Sequence, residues 1–455
     1  MSTWTERPEL AAYLSRQRWF AGAQQVAVTE VRPLEWLSDL SSNPGVRFEI
    51  VSVVSEAVPG IYNVPLSYRH EPREDLSYGF IGATNLDDHT FYVYDALHDP
   101  DARAVILNGF VDGAVAPPDI HFGRLPGFAL EANVDNVLLG AEQSNTSVVA
   151  GDALVKFFRR LSPGQNPDVE VQQALTLAGC DQIPPLLGWI RSGDLDLAMV
   201  GLFQRSATDG WDTARASVRA LRDDAVRARE AGGDFAGEAE RLGAATHAVH
   251  ALMRELLPVA VWGEDELDAL VARLNGRLDE VVVAHPEVAE YADGARAAYE
   301  RIDRSVPVPV QRIHGDLHLG QTLRTIAGWK IIDFEGEPSK PLEERTRLDS
   351  PLRDLAGMLR SFDYVAHSIP ALTGVISLDP TVDEAALADD WVRRNQIAFL
   401  FGYGFDRSDA ALTLLRAYEI DKAVYEVAYE ADHRPDWIGI PLRALSALCG
   451  ASTAR

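Results

Sequence analysis

The segment His314-Gly315-Asp316-Leu317-His318-Leu319-Gly320-Gln321, followed by Ile331-Ile332-Asp333-Phe334-Glu335-Gly336, carries the most chemical information in the chain. Asp316 stands in a loop that Gly315 and Gly320 allow to turn tightly. Residues 321–325 and 329–334 read as two short strands joined around Ala327-Gly328. A hairpin centred on Ala327 sets position 321 opposite position 333, and directly opposed residues have Cβ atoms ~5 Å apart. An amide and a carboxylate at that distance can share one cation. Phosphoryl transfer needs such a set: one carboxylate to position and deprotonate a hydroxyl, and oxygen ligands for Mg²⁺ on the phosphates. Asp316 suits the first role. Gln321 and Asp333 suit the second, with Glu335 able to join them. A lone His-Gly-Asp triplet would read as a surface loop, but the apolar strand running into Asp-Phe-Glu-Gly argues against that.

Composition sets the limits. With 455 residues, 47% hydrophobic and 24% charged, the chain is an ordinary globular protein of two or three domains. No apolar run reaches the ~18 residues that span a bilayer, and residues 1–18 lack the apolar core of a secretory signal. Cys180 and Cys449 are the only two cysteines, too few for a disulfide framework, so a cytoplasmic location is expected. The formal charge of −26 disfavours nucleic acid and anionic membrane as partners. The sequence does not fix an oligomeric state; a monomer is the default.

Residues 1–125 read as strand-rich, with alternating runs such as 46–54 taken as half-buried strands. Strand character continues through 140–205, with a helical stretch near 169–178. From about Thr213 the pattern is helical, interrupted by short strands at 308–338. The expected fold class is α/β (α+β): a bilobal arrangement with a cap subdomain at 1–125, a nucleotide-binding lobe at 126–205 and a helical lobe at 206–455, with the ligand site in a cleft.

The two segments resemble the catalytic and metal loops of aminoglycoside-phosphotransferase and choline-kinase-like enzymes, relatives of protein kinases. More narrowly, Leu14-Ser15-Arg16-Gln17-Arg18-Trp19-Phe20-Ala21-Gly22, Ala141-Glu142-Gln143-Ser144-Asn145-Thr146-Ser147, Asp349-Ser350-Pro351-Leu352-Arg353-Asp354 and Tyr418-Glu419-Ile420-Asp421-Lys422-Ala423-Val424-Tyr425-Glu426 resemble actinobacterial maltokinases and the related glucosamine kinases. The wider superfamily usually has Asn where this chain has Gln321, and maltokinases share the Gln. The resemblance implies a protein-kinase-like fold, ATP as co-substrate and Mg²⁺ as cofactor.

It also implies a nucleotide side. Lys156, on the strand-like run 153–158, would contact the α/β-phosphates, with Glu170 as its ion-pair partner. No G-x-G-x-x-G precedes it. Ser144, Asn145 and Thr146, in the stretch 142–147, would cover the phosphates with small polar groups and backbone N–H. Gln204 falls in the expected connection at 199–205, whose backbone would meet the adenine.

On the acceptor side, Tyr418, Asp421 or Lys422, Tyr425 and Tyr429 share one helical face. From pattern alone they read as an ordinary amphipathic helix. By resemblance Glu419, Asp421, Lys422, Tyr425, Glu426 and Trp437 line the sugar, together with His318. Asp432 and Asp436 would add negative charge there, favouring a cationic amino sugar over a neutral disaccharide. The expected activity is therefore ATP-dependent phosphorylation of glucosamine to glucosamine 6-phosphate. The alternatives are maltose to maltose 1-phosphate, an aminoglycoside kinase, and a nucleotide-binding pseudokinase scaffold. Asp354, on the helix that Ser350-Pro351 opens, is expected to brace the catalytic loop.

Overall fold

A computed structural model of the chain describes residues 8–20, 26–54, 59–86, 88–140, 144–224, 234–337, 340–373 and 384–450. The chain divides into two compact units, one formed by Met1–Gln173 with Pro184–Gln204, the other by Ala174–Ile183 with Arg205–Arg455. Among the described residues no helix is long and apolar enough to cross a membrane.

The first unit is built on antiparallel sheets. The run at 46–54 is strand as expected, but it is covered on both faces rather than half-buried. It splits into Gly45–Arg47 and Glu49–Val54, which belong to two different four-stranded sheets. Val46, Phe48 and Ile50 enter one apolar core, while Val51 and Val53 enter another. Both faces are covered, so the alternation separates two cores rather than core from water. A buried cluster of three side chains ties distant parts of this unit together. Tyr13 donates its hydroxyl to Asp95 at 2.9 Å, and the Arg159 guanidinium lies 2.8 Å from the same carboxylate.

A six-stranded sheet, also in this unit, carries the lysine strand. Ala153–Phe158 lies between Asn145–Ala150 and Leu195–Leu202, with Ser147 opposite Lys156. The helix expected near 169–178 runs Pro167–Leu177, with proline in its first turn, where a missing N–H costs nothing.

The second unit is helical. Its main helices are Gly210–Asp224, Ala236–Leu256, Glu264–Ala284, Leu352–Thr373, Glu384–Tyr403 and Asp409–His433. Phe235, Phe362, Trp391 and Phe399 pack edge-on or tilted at 5.9–6.3 Å between ring centres and fill the middle of this unit. The strands expected at 308–338 are Val308–Gln311, Thr322–Thr325 and Gly328–Ile331.

Candidate active site

In the helical unit, the strand Val308–Gln311 delivers the chain into the loop that holds Asp316. Asp354, on the helix Leu352–Thr373, fixes that loop from below. Its two oxygens accept the backbone N–H of His314 at 2.7 Å and of Gly315 at 2.9 Å, and His250 Nε2 at 3.1 Å. The carboxylate is buried, which alone would raise its pKa, but the hydrogen bond and charge of His250 reverse the balance and hold it below the usual value. Two glycines make the geometry possible. Gly315 has φ of +83°, and a Cβ on Gly357 would lie 2.6 Å from the Leu317 carbonyl oxygen, so the helix can approach the loop only there.

His314 orients the next residues. Its Nε2 donates to the Ile332 carbonyl at 2.9 Å, so Nδ1 is the accepting nitrogen, and the Asp316 N–H points to it at 3.4 Å. The loop and the 331–333 segment are thereby tied together.

Asp316 is half-buried beside Lys422, whose ammonium donates to Oδ1 at 3.1 Å, and His318, whose Nε2 lies 3.9 Å from Oδ2. Burial would push the carboxyl up. Lys422 and His318 outweigh it and hold Asp316 well below the ordinary carboxylate range. Burial keeps the His318 imidazole below its usual pKa despite Asp316. Its Nδ1 accepts the Gly320 N–H at 3.1 Å, which leaves the proton on Nε2, facing Asp316. Asp316 is thus an ionised acceptor over the physiological range.

The hairpin register differs by one step from the sequence expectation. Thr322 pairs with Ile331 and Thr325 with Gly328, so the turn is the two-residue Ile326-Ala327, and the ladder stops before 321 and 333. Gln321 and Asp333 nevertheless meet. The Ile332 N–H donates to the Gln321 carbonyl at 3.0 Å, Asp333 adopts φ of +66°, and Gln321 Nε2 donates to Asp333 Oδ2 at 2.8 Å. A left-handed backbone at a non-glycine residue is uncommon; here it swings the carboxylate back over Gln321. One carboxylate oxygen of Asp333 and one of Glu335 lie within 4.8 Å of each other. Glu335 is buried, with Arg345 Nη1 3.8 Å from its carboxylate.

Asp316, Asp421, Lys422 and Tyr425 line one pocket with Glu337 and Lys340. The Asp421 carboxylate takes an ion pair from Arg277 at 2.6 Å through Oδ2. Its Oδ1 is buried with no hydrogen-bond partner among the described residues. Glu419 and Glu426 do not line this pocket. Glu426 binds Arg360 at 2.8–2.9 Å on the side of the helix facing Leu352–Thr373. Glu419 lies in the field of the same Arg360 but makes no hydrogen bond among the described residues, and burial lifts its pKa to about 7. Asp432 and Asp436 are exposed and do not line the pocket either. Trp437 stacks under the Arg434 guanidinium at 4.5 Å. The negative charge of the pocket comes from Asp316, Glu337, Asp354 and Asp421 instead.

In the first unit, Lys156 donates to Asp168 Oδ2 at 3.0 Å. Asp168 is buried and holds Gln172 through its other oxygen at 2.6 Å. Asp168 is thus a carboxylate partner of Lys156 that the sequence expectation, which named Glu170, did not include. Pro167 starts the helix, so Asp168 falls in its first turn and on the buried side, while Glu170 is only half-buried. Asn145 and Thr146 are not in a loop. They belong to the strand Asn145–Ala150, and Thr146 Oγ1 accepts Arg159 Nε at 2.8 Å. Ser144 is exposed just before that strand. Glu142 and Gln143, also part of the expected phosphate-covering stretch, lie outside the described residues, as do Ala21, Gly22 and Ala141 of the quoted motifs. Gln204 follows Leu195–Leu202 and donates to the Leu202 carbonyl at 3.1 Å.

Sequence spacing had no means of finding Arg277. It sits on Glu264–Ala284, and its partner Asp421 is 144 residues away.

Comparison with known proteins agrees with this chemistry. Residues 13–99 match the maltokinase N-terminal cap domain, and residues 206–407 match the phosphotransferase enzyme family. A glucosamine kinase of Streptacidiphilus jiangxiensis is 30% identical over 337 residues, 68% of this chain and 72% of that protein. The chain belongs to this family of sugar phosphotransferases. A second glucosamine kinase, of Mycolicibacterium smegmatis, is 28% identical over 69% of this chain and 79% of its own length. A solved structure of a glucosamine kinase in complex with glucosamine, ADP and inorganic phosphate shares the fold, with TM-score 0.68 at 23% identity over 98% of this chain and 99% of that one. The phosphotransferase match covers the loop, the hairpin and Asp354. Lys422 and the rest of Asp409–His433 lie beyond it.

Proposed function

We propose that this sugar kinase transfers the γ-phosphate of ATP to glucosamine, giving glucosamine 6-phosphate. The observation that carries the acceptor assignment is the buried, unpartnered Oδ1 of Asp421 in the pocket that also holds Asp316. A buried carboxylate oxygen without a donor is costly, and the ammonium of an amino sugar supplies one with charge. The names of the related enzymes point the same way.

In this mechanism Asp316 accepts the proton of the attacking hydroxyl, and Lys422 holds its carboxylate ionised and in place. His318, protonated on Nε2, flanks the same group. Lys156, fixed by Asp168, neutralises nucleotide phosphates. An all-oxygen set of Asp333, Glu335 and the Gln321 carbonyl fits a hard divalent ion such as Mg²⁺. Gln321 now presents its nitrogen to Asp333, so its carbonyl must turn toward an ion to join that set. Bound there, Mg²⁺ would offset the charge on the phosphates.

Maltose is the second reading, favoured by the cap match at residues 13–99. Initial rates with ATP and Mg²⁺ on glucosamine, N-acetylglucosamine, glucose and maltose separate the two. Glucosamine should have the highest kcat/KM, and N-acetylation, which removes the charge, should lower it by on the order of 10²-fold or more. A maltose rate above that of glucosamine would overturn the assignment.

A further inference from the structure

Beside the acceptor pocket lies a second pocket, into which five cationic side chains turn: Arg273, Arg277, Lys340, Arg347 and Arg353. Three are balanced. Arg277 pairs with Asp421 at 2.6 Å, Arg353 with Asp349 at 3.3 Å and Lys340 with Glu337 at 3.2 Å. Asp349 has little left to offer, since it also accepts the Tyr418 hydroxyl at 2.5 Å and the Ser350 N–H at 2.8 Å. The guanidinium groups of Arg273 and Arg347 make no ion pair or hydrogen bond among the described residues, although Glu344 borders the same pocket. Arg273 and Arg277 sit one turn apart on Glu264–Ala284, so their side chains share a face. Lys340 feels the crowding: burial, with Arg353 and Arg277 nearby, holds its pKa below the usual value despite Glu337. In a chain of net charge −26, a pocket lined by five cations and three carboxylates is an exception to the overall balance. Arginine presents a planar fork of donors that matches a tetrahedral oxyanion.

We propose that this second pocket binds a phosphate-type oxyanion, either inorganic phosphate or the phosphate group of a phosphorylated sugar, through Arg273, Arg347 and Arg277. The pocket shares Arg277 and Asp421 with the acceptor pocket. An oxyanion that draws Arg277 toward itself loosens the Arg277–Asp421 pair and leaves Asp421 for the acceptor ammonium. Phosphate bound here would therefore tighten glucosamine binding, and glucosamine would tighten phosphate binding by the same factor. This coupling rests on the glucosamine reading; the anion site itself does not.

The test is calorimetric titration of the full chain, without sugar or nucleotide and at constant ionic strength, with inorganic phosphate in one arm and glucosamine 6-phosphate in the other. At least one probe should bind saturably. The double variant Arg273→Ala/Arg347→Ala should weaken that binding about tenfold or more, with turnover in phosphate-free buffer unchanged. Arg347→Glu alone, at an exposed position, should weaken it as well, which guards against a folding defect in the double variant. The probe that binds more tightly identifies the source of the anion. Absence of saturable binding by both probes overturns the site. So does binding that survives the Arg273 and Arg347 changes but is lost in Lys156→Ala, which would place the anion among the nucleotide contacts. In assays, inorganic phosphate should lower the KM for glucosamine in the wild type and not in the double variant. Phosphate binding with an unmoved KM overturns the coupling alone, whereas failure to phosphorylate glucosamine in any buffer overturns the acceptor reading and leaves the titration result standing.

Discussion

Asp316 owes its ionised state to one neighbour above all. Burial opposes the charge, and Lys422 at 3.1 Å, with His318 behind it, more than offsets that opposition. Lys422→Met should therefore move the acid limb of the kcat/KM profile upward by on the order of one pH unit or more. A purely structural lysine would lower the rate without moving the limb, so the pH profile separates the two roles. Asp333 is the other informative residue. Its φ of +66° is what brings its carboxylate to Gln321 although the hairpin ladder ends short of both. The sequence could show that the two side chains lie near each other. It could not show a backbone reversal, because residue type alone does not announce a left-handed aspartate.

At the scale of elements, the loop depends on a helix rather than on its own sequence. The buried Asp354 carboxylate satisfies two loop N–H groups and His250 at once. Asp354→Ala should lower unfolding stability by about 3 kcal/mol, because it strands several buried donors. A shifted urea midpoint with unchanged m-value would show this. A loss below about 1 kcal/mol would mean that water replaces the carboxylate. The bracing role of Asp354 was legible, because Ser350-Pro351 announces the helix start and places Asp354 in its first turn. The hairpin and the catalytic loop were legible from glycine positions and apolar runs. The pairing of Lys156 with Asp168 was not, since it depends on which side of a helix faces the sheet. Strand character was legible across 140–205, but the start of a strand at Asn145, inside the expected phosphate-covering stretch, was not. Its Asn-Thr-Ser opening has loop-like composition but is buried against Arg159 and its neighbours in the sheet. The acids at 432 and 436 misled for a similar reason: nearness in sequence to the acceptor helix did not carry them into the pocket.

The helical unit as a whole holds a buried ionic network that local patterns do not reveal. Arg360 joins Glu426 and Asp363, and Arg443 and His367 also contact Asp363. Glu419 stands beside this network and titrates near pH 7, with burial the main cause. Its folded pKa is raised from the ordinary 4.5, so the folded state holds its proton longer than the unfolded chain does. The protein should then lose stability as pH rises from about 4.5 through 7, with the full penalty present above pH 7. Glu419→Gln should remove that dependence, leaving the variant more stable than the wild type at pH 8 by about 3 kcal/mol, and nearly equal to it at pH 4.5, in thermal or urea unfolding. An unchanged pH–stability curve would contradict this assignment.

The account turns on Asp316 as the group that receives the acceptor proton. The most direct measurement is single-turnover phosphorylation of glucosamine by Asp316→Asn, followed by ³¹P NMR, with ATP affinity measured on the same preparation. The rate of glucosamine 6-phosphate formation should fall by ~10²–10⁴-fold while ATP affinity stays within about threefold of the wild type. A rate within a few-fold of the wild type would contradict the account.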